Sequence, residues 1–182
     1  MPVEIVRLSP SQVQQSQQDV LDAYRQAFAL PPYERIEADV ISFTDTLRRH
    51  SARDGFRFVA AVERPAGNLI GFAYGYTSRP GQWWHDRVTA AMEPEIARQW
   101  LSDAFEFVEL AVCPEHHGRG YGGRLHDALL EGLAHRTAVL STMQAETSGL
   151  ILYRHRGWVT LLENFLFPGL QHPYIIMGKA LK

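Results

Sequence analysis

Gly118, Gly120, Gly122 and Gly123 fall within six residues, and what flanks them limits the folds open to this chain. Upstream, Phe107-Val-Glu-Leu-Ala-Val-Cys113 is an apolar run of strand length, closed by Pro114, which has no N–H to give a ladder. Downstream, Leu125, Ala128, Leu129, Gly132 and Leu133 recur at spacings of three and four, which predicts a helix from Gly122 to Arg136. Without Cβ atoms the loop backbone reaches positive φ, and its N–H groups can approach a ligand closely. Strand, glycine loop and helix start together make an anion-binding arrangement. The first helical turn offers unpaired N–H groups and the positive end of the macrodipole, and Arg119 and Arg124 add charge beside it.

What the loop lacks narrows the choice of anion. Gly118-Arg-Gly120-Tyr-Gly122-Gly123 fits G-x-G-x-x-G, but a dinucleotide site needs an acidic residue about 20 positions on, at the end of a second strand. The following strand, Ala138–Met143, ends without one at that spacing, and the nearest acid is Glu146. The phosphate loop of nucleotide hydrolases ends in Gly-Lys-Ser/Thr, and no Lys follows these glycines. Both nucleotide readings weaken.

The segment instead resembles the signature of the GNAT superfamily of N-acetyltransferases, where Arg or Gln, two residues, Gly, one residue and Gly or Ala follow a strand and cradle the pyrophosphate of acetyl-CoA. Here the motif is His117-Gly118-Arg119-Gly120-Tyr121-Gly122, with His117 at the position usually held by Arg or Gln. An imidazole there still has N–H groups to donate. A second match is Leu150-Ile-Leu-Tyr153-Arg-His-Arg-Gly157-Trp158, which resembles the Leu-Tyr…Gly-Phe/Trp helix of the family. The resemblance implies a fold: an α/β architecture with a mixed, mostly antiparallel sheet of about seven strands, helices on both faces, and a splay between the fourth and fifth strands. It also implies acetyl transfer from acetyl-CoA to a primary amine.

Element order along the chain agrees. Val3–Leu8 alternates as a strand; Ser11–Leu30 and Glu34–His50 are amphipathic helices; Phe56–Val62 and Asn68–Thr77 are strands joined by the turn Arg64–Gly67. Arg79–Ser102 is an insertion with a short helix at Glu95–Leu101. After the glycine loop and its helix come the strand Ala138–Met143, a helix at Ser148–His155, and strands at Trp158–Phe167 and Pro173–Ala180. No linker interrupts the 182 residues, so one domain over residues 1–182 is expected.

The roles implied by the resemblance fall on named residues. Tyr153 matches the general acid that protonates the departing CoA thiolate. Relatives place a catalytic Glu or His at positions matching Glu106 and Val108, so Glu106 is the first choice of base. Glu109 is the second, since a bulge would change the face it uses. A water is the remaining option. Backbone N–H groups at Leu110, Ala111 and Val112 are implied to hold pantetheine and polarise the thioester carbonyl. His117, Gly118, Arg119, Gly120, Tyr121, Gly122, Gly123 and Arg124 are implied to hold the pyrophosphate. Tyr33, Trp83, Trp84 and His85 lie on segments that border the acceptor in this architecture, although the two tryptophans equally suit packing or a homodimer face. At Glu146 many relatives carry an Asn that contacts the cofactor.

Other chemistry is disfavoured. A net charge of −2 gives no field for nucleic acid, and the longest apolar runs are too short to span a bilayer. One cysteine, Cys113, excludes an internal disulfide, and as a lone residue at a strand end it reads as packing rather than as a nucleophile. His116, His117 and His126 do not have the spacing of a metal set, so no metal is expected. A cytoplasmic protein acting on a small-molecule or peptide amine is the resulting expectation; a non-catalytic CoA-binding sensor or scaffold is the competing one.

Overall fold

The computed structural model describes residues 1–182. Its elements are β1 (Val3–Leu8), α1 (Pro10–Gln15), α2 (Gln17–Phe28), α3 (Glu37–Ser51), β2 (Arg57–Glu63), β3 (Leu69–Thr77), α4 (Trp83–Ala91), α5 (Pro94–Leu101), β4 (Ala104–Val112), a 3-10 turn (Pro114–His116), α6 (Tyr121–Leu130), β5 (Thr137–Met143), α7 (Ser148–His155), β6 (Val159–Phe165) and β7 (Tyr174–Ala180). The strands form one seven-stranded sheet in the order β1-β2-β3-β4-β5-β7-β6. The β1–β2, β2–β3, β5–β7 and β6–β7 pairs are antiparallel, and β4–β5 is parallel. This is the mixed, mostly antiparallel architecture expected from the sequence.

The chain divides into two compact units, Met1–Tyr76 with Glu109–Glu131, and Thr77–Val108 with Gly132–Lys182. In the first, α3 and α6 bury their apolar faces around the aromatic residues of β2 and β3. Tyr24 stacks on Phe43 with ring centroids 4.0 Å apart, and Phe58 stacks on Phe72 at 5.3 Å. The core of the second unit is built from Trp84, Val88, Leu101, Ala104, Val139, Phe167 and Ile176.

Four local expectations are corrected. The first long helix is interrupted at Ser16, in a stretch of glutamines with no apolar side chain to hold a continuous helix against the core. The helix after the glycine loop ends at Leu130 rather than Arg136. Gly132 takes φ +64°, and Arg57 Nη1 donates to the Leu129 and Glu131 carbonyls, satisfying helix-end acceptors from outside. The insertion holds two helices, because Trp84, His85 and Val88 turn a buried face to the protein. Finally, β4 starts three residues early, held by the parallel rungs Ala104↔Thr137, Phe105↔Ala138 and Glu106↔Val139. No helix is long and apolar enough to cross a membrane.

Candidate active site

In the first unit the end of β4 and the glycine loop form one continuous feature. β3 presses so closely on β4 that a Cβ on Gly71 would lie 2.7 Å from the Ala111 carbonyl oxygen, and only glycine fits there. Cys113 N–H donates to the Ile70 carbonyl at 2.9 Å, the strand ends, and the 3-10 turn leads into the loop. Gly118 and Gly120 adopt φ +73° and +80°; a Cβ at either would meet nothing within 4 Å, so conformation rather than space demands glycine.

Gly120 is also the N-cap of α6, so no capping side chain covers the helix start. Arg124 N–H bonds back to the Gly120 carbonyl at 3.1 Å; helix geometry leaves the Tyr121, Gly122 and Gly123 amides without that type of partner. Three adjacent N–H groups at the positive end of a helix suit a diphosphate.

The side chains around this cradle divide the work. His117 Nε2–H donates to the Val112 carbonyl at 2.8 Å, tying the loop to the end of β4. With that proton in place the neutral ring has only an acceptor at Nδ1, so it cannot also donate to a phosphate oxygen unless protonated. Arg124 Nη2 donates to the Val3 carbonyl at 3.0 Å and its guanidinium lies over the Tyr121 ring, whereas Arg119 is exposed. Cys113 is buried, and burial, reinforced by Glu115, pushes its thiol up to about 11; it stays protonated at neutral pH and is no nucleophile.

Glu109 carries a strongly perturbed carboxyl. The residue is partly exposed along the strand, yet its carboxyl lies deep enough among protein atoms that loss of hydration pushes its pKa up to about 7. The Arg35 guanidinium and the Leu110 N–H act against that rise. Arg35 stands on the loop after α2, where its N–H donates to the Phe28 carbonyl at 2.8 Å. On the same loop Tyr33 packs edge-on against Phe28 with centroids 5.0 Å apart. The structure thus brings Glu109 and Arg35 together and carries Tyr33 on the same loop.

The second unit places the remaining residues. Glu106 is 4% exposed and sits at the last of the three rungs with β5. Tyr153 is 8% exposed and held in an aromatic cage, with Phe107 at 5.9 Å and Trp158 at 5.8 Å between ring centroids. Its helix is fixed by Thr147, whose side chain accepts from Leu150 N–H at 3.1 Å. Glu146 accepts from Arg154 Nη1 at 2.7 Å, which offsets its negative charge. Trp83 is exposed and stacks on Phe167 at 5.4 Å; Trp84 lies in the core, its Nε1–H donating to Ser141 Oγ at 3.1 Å. His85 is buried with Nδ1 3.0 Å from Ser78 Oγ, and loss of hydration pulls its pKa down.

Arg35 and Gly71 are the residues that sequence reasoning did not single out. A lone Arg in a loop carries no local signal, and Gly71 reads as an ordinary strand glycine until its close neighbour is known.

Comparisons with known proteins establish the family and the fold. The acetyltransferase (GNAT) family matches residues 17–158. A GCN5-like protein acetyltransferase of Mycobacterium tuberculosis is 29% identical, with 100% of this chain and 99% of that protein covered. Among solved structures, a GNAT-family protein of Desulfovibrio desulfuricans superposes with a TM-score of 0.68 at 16% identity, covering 100% of both chains. The PaiA N-acetyltransferase of Thermoplasma acidophilum, solved with coenzyme A, superposes with a TM-score of 0.62 at 16% identity over 99% of each chain. The match spans most of the sequence and includes both motifs, and the chain belongs to the acetyltransferase (GNAT) family, enzymes that take their acetyl group from acetyl-CoA.

Proposed function

We propose that the protein moves the acetyl group of acetyl-CoA directly to a primary amine, with Glu109 as the general base. The observation that carries this reading is the Glu109 carboxyl, pushed up to about 7 in the same unit as the open amides of Tyr121–Gly123. A base is most effective when its pKa lies near the working pH. Glu109 is preferred to Glu106 because its carboxyl has a pKa of about 7 and lies in the same unit as those amides.

In the proposed reaction the loop amides and Arg119 hold the diphosphate, and main-chain N–H groups of Ala111 and Val112 polarise the thioester carbonyl. Glu109 takes a proton from the acceptor ammonium. The freed nitrogen lone pair attacks the carbonyl carbon, the C–N bond forms, and the C–S bond breaks. Tyr153 gives its phenolic proton to the leaving thiolate and regains one from the new amide nitrogen; the proton on Glu109 goes to solvent. Tyr33 and Arg35 are assigned to the acceptor side, on the loop that carries both. A cytoplasmic setting suits a chain whose one cysteine is buried and reduced.

The test is thiol release from acetyl-CoA over a panel of small amines, peptide N-termini and lysine peptides. An amine that accelerates release in the native enzyme and fails to do so in Glu109→Gln supports the proposal. Acetyl-CoA binding with no accelerating amine favours a sensor module instead.

A further inference from the structure

The insertion between β3 and β4 borders a solvent-open hollow of about 500 Å3 that no step above uses, its floor made by the buried His85, Met92, Ala97 and Leu101. It is lined by His85 and Thr89 of α4, Met92 of the connecting turn, and Ala97, Arg98 and Leu101 of α5, with Pro80 and Pro94 among the remaining wall residues. Its size falls within the roughly 300–1,000 Å3 usual for small-molecule sites. The walls are apolar apart from a few groups: Thr89, Ser102, His85 and Arg98.

Two of these groups point to a ligand. Arg98 carries the one full charge among the lining residues; it is exposed at the rim, in the last turn of α5. His85 is 6% exposed, and its ring is fixed through Nδ1 by Ser78 Oγ at 3.0 Å, which leaves Nε2 for a ligand. Burial keeps the imidazole neutral near pH 7, so when Ser78 donates to Nδ1 the ring proton sits on Nε2. The wall then presents a cation and an N–H donor beside the apolar surface of Met92, Ala97 and Leu101.

We propose that this cavity binds a small amphipathic carboxylate, its head group on Arg98 and His85 Nε2–H and its short apolar body against Met92, Ala97 and Leu101. A guanidinium and a ring N–H match two carboxylate oxygens, and a cation beside apolar surface favours an anion over a neutral or cationic head group. The site lies wholly within the second unit and is independent of the reaction assigned above, since its ligand needs no amine and undergoes no transfer.

The experiment titrates the intact protein with hexanoate, with hexanol and hexylammonium as controls, by calorimetry and by amide chemical shifts. The expected result is one hexanoate bound per chain, shifts concentrated in residues 78–102, and at least tenfold weaker binding of both controls. Arg98→Gln should weaken hexanoate at least tenfold with little change in melting temperature, because Arg98 is an exposed residue of the last turn of α5. His85→Gln, which can keep a bond to Ser78, should weaken it by a smaller factor. Hexanol binding as well as hexanoate, shifts that fall elsewhere, or hexanoate affinity unaffected by Arg98→Gln would each overturn the proposal. Acetyl-CoA binding by the same samples reports separately on the transferase reading.

Discussion

Replacing Glu109 by Gln keeps the shape of the side chain and removes its charge, and its effect on stability has a definite sign. The unfolded carboxyl loses its proton near 4.5, the folded one near 7. A folded pKa raised above the unfolded value contributes stability that is complete below about 4.5, declines as pH rises, and is gone above about 7. At about 1.4 kcal/mol per pH unit the full gap corresponds to about 3 kcal/mol, and solvent reaching a partly exposed residue reduces this to about 2 kcal/mol. The variant should therefore match the native protein at pH 4 and exceed it by about 2 kcal/mol at pH 8, a rise of about 5 °C in melting temperature for a chain of this size. Thermal unfolding across pH 4–8 measures this without an acceptor amine. Thiol release should fall by about 10²–10⁴, and the acid limb of kcat/KM near pH 7 should disappear. A melting difference that does not depend on pH, or native turnover with the same acid limb, refutes the assignment.

Other substitutions test neighbouring parts of the account. Tyr153→Phe should lower kcat about 10²-fold with little change in acetyl-CoA affinity, and native turnover in that variant removes the acid role. Gly120→Ala places a Cβ at φ +80°, which should cost about 1–2 kcal/mol and weaken acetyl-CoA binding by calorimetry. Gly71→Val sets a Cβ 2.7 Å from the Ala111 oxygen and should destabilise by roughly 1–3 kcal/mol in urea unfolding. His50 is half-buried beside Tyr74, and lost hydration with Arg53 and Arg49 nearby pulls its pKa down to about 3. Its folded pKa lies below the unfolded 6.5, so acid favours the unfolded chain: stability should drop by roughly 3 kcal/mol between pH 6.5 and 4, and His50→Gln should flatten that slope.

The parts of the molecule that follow local rules were legible in the sequence. Gly118 and Gly120 announced the loop because positive φ leaves few alternatives, and period-two and helical spacings located the seven strands and most helices. The break at Ser16 and the end of α6 at Leu130 were not legible, since one depends on missing apolar anchors and the other on Arg57 arriving from a distant strand. The ranking of Glu106 before Glu109 came from the resemblance alone. The Glu109 pKa of about 7 and its place in the unit of the loop amides separate the two, and both are properties of three-dimensional packing that no sequence spacing encodes. His117 illustrates the same limit: its residue type allowed a phosphate contact, whereas its bond to the Val112 carbonyl gives it a structural task. Trp83 and Trp84 are adjacent in sequence, yet one is exposed on Phe167 and the other is a core residue bonded to Ser141.

Titrating the protein with acetyl-CoA while following its backbone amide resonances tests the anion cradle most directly. The account predicts saturable one-to-one binding with the largest shifts at Tyr121, Gly122 and Gly123, weakened by Gly120→Ala. Binding that leaves those three amides undisturbed, or no binding, contradicts it.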